Sequence, residues 1–407
     1  MDKRNYGIFS IPVIVGALGY FVDIYDLLLF GIIRKSSLAS LGLTPAEVLT
    51  QGEFIISIQM IGLMLGGILW GVLGDKKGRL SVLFGSILLY SLANIANGMV
   101  QTVEQYALLR FIAGVGLAGE LGAGITLVSE LLSKEKRGIG TSMVAGIGLT
   151  GAVVAYFISK EFDWRICYYI GGAMGFLLLL LRVSVFESGM FKQVKDMKVS
   201  KGNFFAFFTN RHRFFTYIKC ILIGLPTWFV IGVLVTFSDK FGLEFGIQDV
   251  IEPGKAIMFA YVGISLGDVT IGLVSQWLKS RKKALYIFYV LTMVCMALFF
   301  SQSGGTSLSM YLICGGLGFA TGFWAIFVTI AAEQFGTNLR ATAATTVPNM
   351  VRGALPLIIL LFKWLRENTN YITGGIITGS VIMVITWIAA YYTKETFGKD
   401  LQYIETI

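Results

Sequence analysis

Asp23 and Asp26 lie in the stretch FVDIYDLLLF, and no other charged residue occurs between Phe9 and Ile33. Three residues apart on a helix, two carboxyl groups share a face and differ by about 4.5 Å in height. The chemistry open to such a pair is proton uptake and release. Its setting is costly, because an ionised side chain near the middle of a bilayer is penalised by about 2.5–3.5 kcal/mol even on the most lenient insertion scale. Each charge should therefore meet a partner or line a polar cavity. Counted in the helix interiors, away from the ends of the apolar stretches, the acids are Asp23, Asp26, Glu120 and Asp268, and the bases Arg110, Lys219 and Arg352. Four acids against three bases leave one carboxylate without a fixed cation. The only histidine, His212, lies in a basic loop, so any proton handling falls to carboxylates.

Depth along the chain suggests which of these groups meet. Arg110 is close enough in height to Asp26 to pair with it, either as part of a proton site or as a fixed ion pair that locks two helices. Arg352 falls near mid-bilayer in VPNMVRGALP, between Pro348 and Pro356, with Asn349 one turn earlier on the same face. Prolines free backbone groups that can line a polar cavity, and a guanidinium offers paired donors in a plane, suited to a carboxylate or phosphate. The alternative is a salt bridge from Arg352 to Asp268 or Glu120. In GLPTW, Gly224 and Pro226 are expected to interrupt a helix, placing Trp228 beside substrate or in the packing. Lys219 sits near a span end, where snorkelling is expected.

The elements that hold these residues follow from composition. The chain has 407 residues, 55% hydrophobic and 14% charged, with mean hydropathy +0.74; soluble domains carry about 25% charged residues. Apolar stretches near the ~20 residues a spanning helix needs occur at 9–33, 53–73, 81–101, 107–131, 139–159, 166–186, 214–236, 256–277, 284–302, 307–331, 341–363 and 371–392. The fold class is thus an all-α integral membrane protein with twelve transmembrane helices in two six-helix bundles, residues 1–186 and 214–407, joined by a basic linker at 187–213. The first stretch is too long for a cleaved signal peptide and contains two acids, so it is taken as span 1.

With both termini cytoplasmic, Lys and Arg number twenty-one in inner loops and eight in outer ones, which orients the chain as a multi-pass protein of the cytoplasmic membrane. The +9 net charge reads as this bias and as contact with anionic lipid, and nucleic acid is not an expected partner. Cys167, Cys220, Cys295 and Cys314 show no CxxC pairing, so neither disulfide nor metal is expected, and no cofactor. GxxxxGK[ST], HExxH and GxSxG are missing, which argues against ATP-driven transport and against an enzyme.

The halves repeat. GVLGDKKGRL (Gly71 to Leu80) has a counterpart in GLVSQWLKSRKKAL (Gly272 to Leu285), with Gln276 in place of Asp75; Glu130 and Arg137 are seven apart, as are Glu333 and Arg340. The first of these stretches resembles the loop 2–3 signature of the major facilitator superfamily, carried here by Gly71, Asp75, Gly78 and Arg79. DIYDLLLFG and RFIAGVGLAGELGAGITLVSELLSKEKRG resemble the metabolite:H+ symporter family within it, and FESGMFK resembles a sugar-porter element, although Phe186 stands where that element has proline. The resemblance implies a secondary transporter working by alternating access, with Asp26 and Arg110 as coupling pair and Asp23 as a second titrating group; Glu120 is a further proton-coupling candidate, and position along the chain makes Arg352, Asn349, Trp228 and Asp268 the residues expected at the substrate. The resemblance also implies a charge relay that latches the halves, built from Gly71, Asp75, Gly78, Arg79, Glu130, Arg137, Glu333 and Arg340; Gln276 supplies no charge to the second latch. The expected cargo is a small organic anion moving with protons through a monomer in the lipid bilayer. A carrier of sugars or neutral solutes, a proton-driven exporter of amphiphiles, and a non-transporting receptor are the rivals.

Overall fold

The computed structural model describes residues 10–77, 79–120, 134–185 and 204–398. Among these residues every regular element is helical. The first bundle contains α1 (Ile11–Ser40), α2 (Pro45–Lys77), α3 (Arg79–Asn97), α4 (Val103–Leu117), α5 (Lys134–Glu161) and α6 (Trp164–Val185). The second contains α7 (Arg211–Phe229), α8 (Ser238–Glu244), α9 (Pro253–Trp277), α10 (Arg281–Phe300), α11 (Ser307–Ala320), α12 (Trp324–Gln334), α13 (Thr337–Gly353), α14 (Leu355–Asn368) and α15 (Tyr371–Tyr392). Twelve crossing segments result once α11 joins α12, α13 joins α14 and the short α8 is set aside. The helices outrun the apolar stretches that announce them: α2 begins at Pro45 and α5 at Lys134. Large apolar side chains such as Leu180, Leu266, Leu273 and Leu357 remain exposed, a surface that water would not tolerate over such an area and that hydrocarbon covers.

Glycines set the closest helix contacts, and they set them twice. A methyl at Gly62 or Gly66 of α2 would run into the carbonyl oxygens of Phe111 and Val115 at α4, and one at Gly263 or Gly267 of α9 into those of Gly315 and Phe319 at α11. Small residues let helix backbones meet where lipid supplies no hydrophobic drive between helices. The recurrence of this contact in both bundles is the structural form of the repeat.

Three crossing segments depart from regular helix. The segment at 307–334 breaks between α11 and α12, and the one at 337–368 breaks at Ala354, two residues before Pro356, which has no N–H for the Arg352 carbonyl and whose ring crowds that carbonyl. The expected interruption at Gly224 and Pro226 is absent: α7 runs through Pro226 and continues as a π-helical turn, Val230–Val235. Pro226 has no N–H to give the Leu222 carbonyl, and the Thr386 hydroxyl of α15 donates to that oxygen instead at 3.0 Å. In the expected linker, Phe204–Phe207 forms a 3-10 turn anchored by Phe207 stacking on Tyr217, 4.5 Å between ring centres.

At the end carrying the α1–α2, α3–α4 and α5–α6 turns, here the distal end, the bundles are tied by ion pairs. Asp239, at the start of α8, lies 2.6 Å from Lys35 and 3.6 Å from Arg34. Arg366 of α14 grips Glu53 of α2 with both terminal nitrogens. Glu252, just before α9, lies 2.7 Å from Lys160 and accepts from the Tyr156 hydroxyl of α5 at 3.2 Å. Among the described residues, the ion pairs that join the two bundles all lie at this end.

Candidate functional site

The acids of α1 fall into different environments although they share a helix face. Asp26 is fully buried, and its Oδ1 accepts from both terminal nitrogens of Arg110 at 3.2 Å. Arg110 also donates to Asn94 Oδ1 of α3 at 2.6 Å and lies 4.7 Å from the centre of the Tyr168 ring. These partners all lie inside the first bundle, although Asp26 Oδ2, Arg110 Nε and Asn94 Nδ2 find none among the described residues. Asp23, one turn earlier and also fully buried, accepts no hydrogen bond at either oxygen from any described residue.

Glu120 differs from the sequence census. Arg182 of α6, missing from that count of buried bases, donates to it at 2.8 and 3.1 Å, and the Ser86 hydroxyl of α3 adds a third bond at 2.9 Å. Gly19 of α1 makes the room, since a Cβ there would strike the Arg182 guanidinium. The four acids are thus matched by at least four bases in the interior. Asp23 and Asp268 are nevertheless left without a paired cation, for reasons of placement rather than number, and of the two only Asp23 also accepts no hydrogen bond from a described residue. Arg182 was detectable: it lies within the stretch 166–186.

In the second bundle, Arg352 occupies the last turn of α13, where a cation is favoured by the helix dipole. It is 1% exposed, and neither Asp268 nor Glu120 pairs with it, so the salt bridge expected as the alternative is absent. Its Nη1 donates to Asn349 at 3.3 Å, its Nε has no partner among described residues, and its guanidinium carbon lies 5.8 Å from the ring centres of both Trp228 and Trp324. Asn349 in turn donates to the Ala118 carbonyl beyond α4, 3.0 Å away across the bundle interface. The Arg352 charge is close enough to act on Asp23 and Tyr20 of α1 and on Tyr261 of α9. Asp23 and Arg352 therefore lie on opposite bundles within electrostatic reach of each other, yet without a salt bridge or hydrogen bond between them. The Trp228 indole N–H is buried without a partner.

Asp268 does not join this cluster through a hydrogen bond to Arg352. Its Oδ1 accepts from the backbone N–H of Ala325 at 2.9 Å, satisfying the exposed first turn of α12 at the break. Trp324 is the site residue that sequence reasoning missed; its only signal was an aromatic next to a glycine, GFW, in an apolar run. Lys219 snorkels as expected, donating to the Tyr392 carbonyl at 3.0 Å.

Of the relay residues, Gly78 and Glu130 lie outside the described residues, as do the side chains of Asp75, Arg79 and Arg137. Gly71 packs against Thr346 of α13. Glu333 pairs with Arg281 at 3.4 Å, while Arg340 reaches the Phe335 carbonyl at 3.5 Å. Near Gln276, Glu395, beyond α15, caps the start of α10, accepting from the Ser280 hydroxyl and from the backbone N–H groups of Arg281 and Lys282 at 3.0 and 3.2 Å.

Two similar helical bundles, latched to each other at one end and holding unmatched buried charge between them, define a polytopic membrane transporter. The chain belongs to the Major Facilitator Superfamily, whose family model matches residues 16–359; this makes it a transporter of small molecules and not an enzyme. It is 26% identical to the niacin transporter NiaP of Acinetobacter baylyi over 96% of this chain and 95% of that protein. It is 24% identical to the gentisate transporter of Corynebacterium glutamicum over 95% and 88%, and 26% identical to the 3-(3-hydroxy-phenyl)propionate transporter of Escherichia coli over 86% of each. Among solved structures, the proton:xylose symporter XylE matches 97% of both chains with a TM-score of 0.69 at 16% identity, a likeness of fold alone.

Proposed function

We propose that this chain carries a small aromatic carboxylate across the cytoplasmic membrane together with a proton, by alternating access. The observation that carries the reading is Arg352: a buried guanidinium between bundles, without an ion-paired acid, beside two neighbouring indole rings. A planar acid meets such a site with its carboxylate on the guanidinium and its ring beside Trp228 and Trp324. Niacin, gentisate and 3-(3-hydroxyphenyl)propionate, named for the relatives, are all aromatic carboxylates, which supports the same substrate class.

Asp23 is the proposed proton carrier. An ionised carboxylate stripped of water and partners is expensive, whereas a protonated one is an ordinary polar burial, so the latched state is suited to hold a proton there. Asp26, held by Arg110, stabilises the first bundle next to it. Charge bias places both termini in the cytoplasm and the distal latch outside. Residues 11–185 and 211–392 then rock as two units, the linker passing between them on the cytoplasmic side, and the protein acts as a monomer.

Purified protein in liposomes, loaded with a pH dye and offered benzoate, nicotinate and neutral sugars, tests this. Uptake of the acids with internal acidification is expected, and Arg352→Ala should reduce it at least a hundredfold while the protein remains folded. Acid uptake unchanged in Arg352→Ala, or accumulation without proton movement, would sink the corresponding half of the proposal.

A further inference from the structure

A second cationic pocket lies at the distal end, well away from Arg352. It has a volume of about 270 Å³ and is lined by Arg34, Lys35 and Lys240, with Leu43, Val48 and Leu49 among its apolar residues. Of the three cations, Lys35 and, at longer range, Arg34 pair with Asp239; the other acid within electrostatic reach of Arg34, Glu53, is held by Arg366. Arg34 is 1% exposed, yet its Nε and Nη1 have no hydrogen-bond partner among the described residues. Its guanidinium lies 4.4 Å from the centre of the Phe237 ring, and its stem crosses Gly52, where any side chain would collide with it. Buried guanidinium nitrogens without acceptors are rare because their desolvation is uncompensated. Arg34 is at the same time part of the lining of a cavity that combines excess positive charge with an aliphatic wall.

We propose that this pocket is a loading site for a small carboxylate with an apolar body, taken up at the distal face before the path to Arg352 opens. The ligand's anionic group suits Arg34, Lys35 and Lys240, and its ring or chain suits Leu43, Val48 and Leu49. Occupancy has a consequence for the latch, since Arg34 and Lys35 are the cations that tie α1 to Asp239. A carboxylate bound to them competes with Asp239, so arrival of the anion loosens one of the three ties that hold the distal end shut. That the same molecule is then transported rests on the function proposed above; binding in the pocket does not.

The test uses benzoate and the full chain in nanodiscs of zwitterionic lipid. Arg352→Ala disables the central site, and calorimetry should still detect benzoate binding, which Lys240→Gln in the same background weakens about two- to fivefold, as expected for one half-buried cation. In transport, Lys240→Gln alone should raise KM by a similar factor with kcat unchanged, and the wild-type KM should depend more steeply on ionic strength than that of the variant. Absence of benzoate binding in Arg352→Ala, combined with an unchanged KM in Lys240→Gln, would overturn the loading site. Loss of the residual binding on adding phosphatidylglycerol would assign the pocket to a lipid headgroup and overturn it too. Residual binding in Arg352→Ala, with no benzoate transport by the wild type, would instead keep this site and refute the transport proposal.

Discussion

Arg110→Met isolates the energetics of the buried pair. Asp26 and Arg110 are both fully buried, joined by two bonds of 3.2 Å to one carboxylate oxygen, with a 2.6 Å bond to Asn94 as support. Replacing the arginine leaves Asp26 as an uncompensated charge, a loss of about 3–5 kcal/mol, and strips Asn94 of its donor, so the upper half of that range is expected. In a chain of this size that is a fall in Tm of roughly 5–10 °C. Asp26→Asn strands the arginine instead and should also destabilise. The double variant Asp26→Asn, Arg110→Met removes both charges, and since burying an ion pair is itself expensive it should recover much of the loss, with a coupling energy of about 2 kcal/mol or more. Thermal unfolding in detergent, followed by the fluorescence of the seven tryptophans, measures all four proteins. A Tm for Arg110→Met within about 1 °C of the parent, or a double variant as unstable as the sum of the singles, would refute the pairing as described.

Asp23→Asn should fold normally, because no hydrogen bond to a described residue is lost; it should still exchange substrate across liposome membranes but no longer carry protons, and retained acidification would remove Asp23 from the mechanism. Gly62→Val should abolish recovery of monodisperse protein, since the new side chain meets the Phe111 backbone, whereas Gly146→Ala, with open space around it, should be neutral or slightly stabilising; equal yields of the two would count against the α2–α4 contact. Outside the spans, burial raises the Glu252 carboxyl, but Lys160, the Tyr156 hydroxyl and Lys255 outweigh it and hold the group below its usual 4.5. A depressed carboxylate contributes stability above that value and loses it as pH falls through and below it, so the Lys160 tie should weaken in acid and not near neutrality. Both side chains are over 40% exposed, which limits the effect to about 0.5 kcal/mol; labelling of a distal cysteine against pH should show a small acid-side step that Lys160→Gln removes.

Much of the architecture was legible because lipid imposes a coarse rule: a stretch of apolar residues must become a helix, and a charge within it must find a reason. Asp26 and Arg110 were paired from depth alone, and the snorkelling of Lys219 followed from its position. Pro226 was misjudged for a physical reason: a proline removes a hydrogen bond but does not break a helix when another segment, here Thr386, supplies the missing donor. The sharing of cations was also opaque. Arg182 reaches Glu120 only because Gly19 leaves a gap in α1, and Glu395 reaches the start of α10 by folding back from beyond α15.

Hydropathy, the lysine and arginine bias and the internal repeat, all properties of composition and order along the chain, were enough to define a helical membrane protein of two related halves with carboxylates in its interior. Which carboxylate stands alone was beyond them. Asp23 and Asp26 occupy the same face of the same helix, and nothing local distinguishes them; the difference comes from Arg110 on α4 meeting one and Arg352, on the opposite bundle, facing the other without pairing. Countercharge at a distance of a few ångströms is set by how distant segments pack, so the tertiary arrangement alone decided which of the two carboxylates is ion-paired and which is not.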